Sequence, residues 1–444
     1  MMGYYIKLAA RSLARTPGIS VLMVLAIALG IAVCVITLTV HHGMSSNPIW
    51  WKNDRLYAVT LDSWDPERPA DEDHPELPPS ELTWRDAEAV TRSDIPLRSV
   101  RMHKAGGVLS SGDSRGPARP ERVIARMTTA GFFDMFDVPF RYGGGWKTAA
   151  DAGPEPVVVL SSKVNEQFFG GTDSVGKTIR WDDREYRVVG VLAPWHPAPT
   201  FYDLNNGAFD DPEDIYVPIG WTEKLELPSG GNTNCWNAED IQSFADFLNS
   251  GCVWIQAWVE LPDAASRARM QAFLDNYVAG ERRGGRFKRP NNNRLTNVDQ
   301  WLVDNEVVGN DNRMLVALAF AFLSVCLINT VGLLLAKFLG HAAITGVRRA
   351  LGASRRQVFL QHLTEAGLLA VVGAALGVVL AGAGLWALRI MYATPRDGFT
   401  GLMHVSGWSL MITVALAVCA TLAAGLYPAW RIGRIAPAVY LKSQ

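Results

Sequence analysis

Residues 314–336 read MLVALAFAFLSVCLINTVGLLLA, 23 positions without a charged side chain. As a helix this run is long enough to cross the hydrocarbon core of a bilayer. Thirteen of its residues are Leu, Ile, Val or Phe, and at about −0.3 to −0.6 kcal/mol each they favour insertion by about 4–8 kcal/mol. Three more runs share this character: Ile19–Val40, Ala366–Leu388 and Trp408–Ala429. Buried helices of a soluble protein rarely supply four such runs, so the chain is expected to be a membrane protein with four transmembrane α-helices in a 1+3 arrangement. The first run exceeds the apolar core of a cleavable signal peptide, and the HHGMSS after it has no A-x-A site, so it reads as an uncleaved anchor.

Charge orients these spans. The whole chain is almost neutral, with 42 basic and 43 acidic residues, but residues 1–18, 337–364 and 430–444 together hold eleven basic and no acidic side chains. Residues 41–313 hold 29 basic and 41 acidic ones. The positive-inside rule places the basic segments in the cytoplasm. The expected order is a cytoplasmic segment 1–18, spans 19–40, 314–336, 366–388 and 408–429, a large α+β domain 41–313 outside, a cytoplasmic loop 337–365, an outer loop 389–407 and a cytoplasmic tail 430–444. Cys34, Cys326 and Cys419 fall in spans, whereas Cys235 and Cys252 fall in the outer domain. An oxidising compartment permits a disulfide between the last two; the alternative is two buried thiols.

Within the outer domain, GTDSVGKT at 171–178 matches the spacing of a phosphate-binding P-loop. Its flanks oppose that reading. VVVL at 157–160 suits a short buried strand, and SSKVNEQFF suits a helix opened by Ser161 or Ser162 and ended by Gly170 and Gly171. TIRWDDREYRVVGVL then alternates as a β-hairpin. Helix, loop, strand is the reverse of what a phosphate cradle needs, so Gly176 is expected to be a turn residue. CVWIQAWVEL reads as a further strand, and Asp263 as the N-cap of a helix reaching Gly280. The domain is expected to be mixed α+β in two lobes. ERRGGRFKRP at 281–290 reads as a solvated basic loop. GGNTNCWNAEDIQ suits a surface loop pinned by the cysteines. His41 and His42 lack nearby Asp, Glu or Cys and make a weak metal signal. No H-E-x-x-H or G-x-S-x-G run occurs, so no catalytic residue, metal or bound cofactor is expected, and no nucleic-acid partner.

The cytoplasmic loop carries more information. Ala342–Leu351 suits a short helix, Gly352 its C′ position, and Ser354 with Gln357 forms a capping box for the next helix. Arg348, Arg349, Arg355 and Arg356 are expected to face water or headgroups, where they could meet carboxylates of a docked protein or serve only to set topology. Glu365, at the membrane boundary, reads as interfacial and within reach of a loop arginine. GAALG at 373–377 presents Gly373 and Gly377 as a small-residue face, for packing within the bundle or for a dimer seam.

GVRRALGASRRQVFLQHLTEAGLLAVVGAALGVVLA (346–381) closely resembles the FtsX-like permease domain of ABC transporters, in which I-G-x-R-R-A-L-G-A-x-R-x-Q-I precedes the third span. GLYPAWRIGRIAPAVYLK (425–442) resembles that family's Y-P-A-x-x-A-x-x-x-P-x-x-x-L. Residues 157–192 resemble its periplasmic core, L-S-x-x-x-A-x-x-x-F-G-x-x-x-P-V-G-K-x-I followed by V-V-G-V. The resemblance implies a MacB-type, or type VII, permease of the bacterial inner membrane. It implies a dimer with a second copy or a paralogous permease, docked on a cytoplasmic ABC ATPase dimer that supplies and uses ATP, with room for a periplasmic adaptor or outer-membrane partner. By position, the ATPase-coupling surface is Gly346, Arg348, Arg349, Ala350, Leu351, Gly352, Ala353 and Arg356. Where the family usually has an acidic residue before I-G, this chain has Ala343-Ile344-Thr345-Gly346. Only 18 residues precede the first span, so the ATPase is expected on another polypeptide. The implied work is export or efflux by mechanotransmission. The alternative is activation of periplasmic cell-wall hydrolases without transport, although FtsX proper has a much smaller outer domain.

Overall fold

The VVVL run is a strand with all four residues buried, and its alternate side chains enter two different cores. The structure, a computed structural model, describes residues 2–111, 119–237, 239–340, 346–349, 351–391 and isolated positions between 411 and 430. Its contacts define two units, one formed by Ser45–Val307 and one that contains Met1–Met44 and Val308–Pro395.

Among the described residues the first unit holds ten strands: β1 Leu56–Thr60, β2 Arg98–Ser111, β3 Glu121–Thr128, β4 Phe140–Gly143, β5 Val157–Leu160, β6 Thr178–Trp181, β7 Arg184–Leu192, β8 Ile215–Pro218, β9 Gln256–Glu260 and β10 Arg294–Asn297. They form one sheet in the order β10-β1-β9-β2-β3-β8-β5-β7-β4, with β6 pairing β2 and β7. The β3/β8 and β5/β7 pairs are parallel; the others are antiparallel. Successive strand residues point to opposite faces. Val158, Leu160, Tyr57 and Val59 therefore join one core, and Val157, Val159, Leu56 and Ala58 the other. Each fully buried Val or Leu contributes about 1.5–3 kcal/mol. Any division into lobes leaves this sheet unbroken.

Helices cover both faces. Ala264–Arg283 lays Met270, Leu274 and Val278, spaced by four, into the first core. It starts where the Asp263 carboxylate accepts from the Ser266 N–H at 2.7 Å, and it runs three residues past Gly280. Trp84–Thr91 packs on the same face, while Gly131–Met135 and Val298–Asp304 pack on the other. The strand of CVWIQAWVEL is confined to β9, because residues before it make only isolated bridges, Val253 with Asn234 and Ile255 with Leu82.

GTDSVGKT follows the helix Ser162–Phe169, whose N-cap is Ser161, and runs into β6. Gly170, Gly171 and Gly176 have φ of 64°, 73° and 86°, values that only glycine adopts without strain. Lys177 lies over the Phe169 ring at 5.4 Å, and the Gly176 N–H donates to the Val188 carbonyl at 2.8 Å. The segment is a tight turn feeding a hairpin.

The basic segment 281–290 is solvated at Arg282, Arg283 and Lys288, as expected, but not at Arg286 and Arg289. Arg286 donates to Asp86 at 2.7 Å and to Glu281 at 2.5 Å. Arg289 donates to Asp62 at 3.0 Å, and Arg282 to the carbonyls of Phe287 and Arg289. Asp86 and Asp62, 200 and 227 positions away along the chain, are brought to Arg286 and Arg289 by the fold, which local composition could not reveal.

A charged network that no motif announced lies inside the same unit. Arg126 on β3 is fully buried and donates to Asp203 and Glu213. The Lys104 ammonium stands 3.5 Å from Asp203, and the Tyr202 hydroxyl donates to Glu213 at 3.1 Å. Glu81, 1% exposed, accepts from Gln256 at 2.6 Å. Burial pushes its pKa up to about 8, so at neutral pH it is protonated. Two cations then face two carboxylates, the balance that buried charge requires.

Among the described residues of the second unit, three helices are long and apolar enough to span a membrane: Pro17–Ser45, Asn310–Gly340 and Arg355–Met391. The expected fourth span at 408–429, the loop 389–407 and the tail lie almost wholly outside the described residues. Residues 1–18, expected only as a cytoplasmic segment, contain the helix Met2–Arg15. It turns Ala9, Leu8, Ser12 and Leu13 inward and leaves Lys7, Arg11 and Arg15 exposed. Pro17 then opens the first spanning helix, a position where its missing N–H costs nothing.

Candidate functional site

The helix-turn before the third spanning helix is assembled from short-range signals. Residues 346–349 are helical. The N–H groups of Leu351, Gly352 and Ala353 close the turn on the carbonyls of Val347, Arg349 and Arg348 at 3.0–3.1 Å. Gly352 has φ 104°, so a side chain there would strain the stop. The next helix opens on a reciprocal cap: the Gln357 N–H donates to Ser354 Oγ at 3.2 Å, and the Ser354 N–H donates to Gln357 Oε1 at 2.9 Å. It then continues for 37 residues without interruption, so the expected boundary between loop and span at 365/366 falls inside one helix.

The side chains divide into two roles. Arg348 is half-buried; its Nη1 donates to Gln361 Oε1 at 2.7 Å and fastens the turn to the long helix. Gly346 is buried, Arg349 and Ala353 are half-buried, and Arg356 is exposed. Ala350 lies outside the described residues. Leu351 is 82% exposed and Val347, four residues before it, 47%. Together they form an apolar pair on one helical face. Val347 was not among the expected coupling residues, although its i, i+4 spacing to Leu351 was visible in the sequence.

Glu365 sits at the base of this element, and its partner is not a loop arginine. It is 1% exposed, 2.5 Å from Lys337 Nζ, and accepts from Ser12 Oγ at 2.9 Å. His362 Nδ1 is 3.7 Å away. The N-terminal helix, the end of the second spanning helix and the third therefore meet on one carboxylate. Lys337 directly follows one apolar run and Glu365 directly precedes the next, which sets them at a common depth.

Gly373 and Gly377 face the first spanning helix. A Cβ on Gly373 would come within 2.7 Å of Ile27, one on Gly377 within 2.9 Å of the Ala28 carbonyl, and one on Gly384 within 2.5 Å of Ile36. In the sheet unit, Cys235 and Cys252 are joined by a disulfide. Among the described residues no group of three or more His, Cys, Asp or Glu is placed to hold a metal.

Two family models match the chain. A family model for the MacB-like periplasmic core domain matches residues 20–277, and one for the FtsX-like permease C-terminal region matches residues 316–437. The chain is similar to the pyoverdine export ATP-binding/permease protein PvdT of Pseudomonas entomophila, at 24% identity over 70% of this chain and 41% of that one. It is also similar to the macrolide export ATP-binding/permease protein MacB of Neisseria meningitidis, at 21% identity over 80% of this chain and 48% of that one. The chain thus spans less than half the length of these relatives. The periplasmic region of MacB from Actinobacillus actinomycetemcomitans aligns with a TM-score of 0.37 at 12% identity, covering 58% of this chain and 95% of that one. With a MacB-like core domain over more than half its length and an FtsX-like region after it, the chain belongs to the MacB-type, FtsX-like permeases of ABC transporters.

Proposed function

We propose that the chain is a noncatalytic permease subunit of the bacterial inner membrane. It converts ATP hydrolysis by a separate cytoplasmic ABC ATPase into movement of its periplasmic sheet domain, for export. The observation that carries this reading is the exposed Val347–Leu351 pair on a turn fastened by Arg348, Ser354 and Gln357 to an unbroken 37-residue helix. A partner seated on that pair would push on the helix rather than on a loose loop. The helix in turn is closed against Pro17–Ser45 through its glycine face, and Ser45 is covalently continuous with the sheet domain.

ATP is used by the partner, and this chain binds no cofactor of its own. The words "export" and "ATP-binding" in the names of PvdT and MacB support the direction and the energy source. A second copy or a paralogue completes the permease pair, and a periplasmic adaptor or outer-membrane partner extends the assembly. The test is reconstitution with the ATPase in nanodiscs, with paired spin labels on the sheet domains of the two permeases. ATP trapping is expected to shift the label distances by several ångströms. Unchanged distances under full ATPase turnover would sink the proposal.

A further inference from the structure

A cleft of about 900 Å³ opens in the sheet unit between the helix Trp84–Thr91, the start of β2 and the segment 148–154. Arg101 of β2 lines it. Its guanidinium lies 4.6 Å over the Trp84 ring, and its side chain is 14% exposed. Five N–H donors need acceptors there, yet the Arg101 side chain donates no hydrogen bond among the described residues, and its Nη1 is buried without a partner. Its ionic neighbour, Glu88, stands at 3.7 Å and is already held by Arg92 at 2.9 Å. Across the cleft, Asp151 is engaged by the Ala130 N–H and the Trp146 indole N–H, each at 2.9 Å.

The lining holds four basic and three acidic side chains; of the basic ones, Arg98 is paired with Glu260 at 2.8 Å and Arg92 with Glu88 at 2.9 Å. Pro96, Ala152 and Pro154 add apolar surface, and Leu97 stands 55% exposed. We propose that this cleft binds a monocarboxylate carried on an apolar body, with the carboxylate received by Arg101. A planar guanidinium fits a carboxylate edge to edge. A phosphate dianion suits the site less, because its second charge would face the three carboxylates of the lining. The inference does not depend on coupling to an ATPase.

The test uses the full chain in detergent, with 4-phenylbutyrate as probe and empty micelles as blank, read by calorimetry or saturation-transfer NMR. Saturable binding is expected, with 4-phenylbutanol and 4-phenylbutyl phosphate each binding more weakly. Arg101→Met is expected to weaken binding about tenfold or more, the loss of a charge-assisted hydrogen bond, and Glu88→Gln to strengthen it by removing the competing acid. Equal binding of the alcohol, tighter binding of the phosphate, or an unchanged affinity in Arg101→Met would overturn the assignment. Should Arg101→Met fail to fold, Glu88→Gln and the alcohol decide: no gain in the first, or parity in the second, refutes the proposal.

Discussion

Lys337 Nζ lies 2.5 Å from Glu365 Oε1, and both side chains are 1% exposed. Removing either partner leaves the other charged and buried, which costs about 3–5 kcal/mol. Lys337→Met or Glu365→Leu alone is expected to lower the detergent melting temperature sharply. The double variant Lys337→Met/Glu365→Leu is expected to recover most of the loss. Additive losses in a melting experiment would show that the two side chains act independently.

Leu351→Asp and Val347→Asp alter exposed side chains, so each is expected to change stability by no more than about 0.5 kcal/mol. Under the proposed coupling, each nevertheless abolishes binding of the ATPase and its stimulation by the permease. Pull-down and ATPase assays on the folded variants measure this, and wild-type stimulation by both would locate the contact elsewhere.

Glu81 links the sheet domain to pH. Burial raises its pKa to about 8, above the ordinary carboxylate value, so the native state holds a proton that the unfolded state releases. Its contribution is full below about pH 4.5, is lost as pH rises through about 8 and levels off above that, with a slope of at most about 1.4 kcal/mol per pH unit. Glu81→Gln keeps a neutral side chain and is expected to flatten this decline. Hydrogen exchange of the sheet amides between pH 6 and 9 checks it; identical pH dependence in the variant would contradict the assignment.

Gly377→Leu places a side chain against the Ala28 carbonyl and Ile31, and Gly373→Leu one against Ile27. Overpacking of this kind costs about 1–3 kcal/mol or more. Gly382, where a Cβ meets nothing within 4 Å, is the control. Gly382→Leu is expected to melt like the wild type, and equal losses at all three positions would argue against a specific seam with the first helix.

Much of the candidate site was legible because its signals are local. The S-x-x-Q cap, Gly352 and the apolar runs act within one or two helical turns. The same holds for Ser161, Gly170 and Asp263, which bound helices through hydrogen bonds spanning three or four residues. The Lys337–Glu365 pair was misread because its members lie 28 positions apart on different helices. Local charge favoured the nearer arginines, of which Arg348 is instead held by Gln361.

By itself the sequence determined three spanning helices, the α+β character of the large domain and the capped turn before the third spanning helix, since hydrophobic period and caps operate over short stretches of chain. Only the tertiary structure decided the rest. It set the ten-strand order, brought Asp86 and Asp62 to the arginines of 281–290, and gathered Glu81, Lys104, Arg126, Asp203 and Glu213 into one buried network. Strand order and charge pairing depend on which distant segments share a core, and the free energy of burial is gained only when they meet.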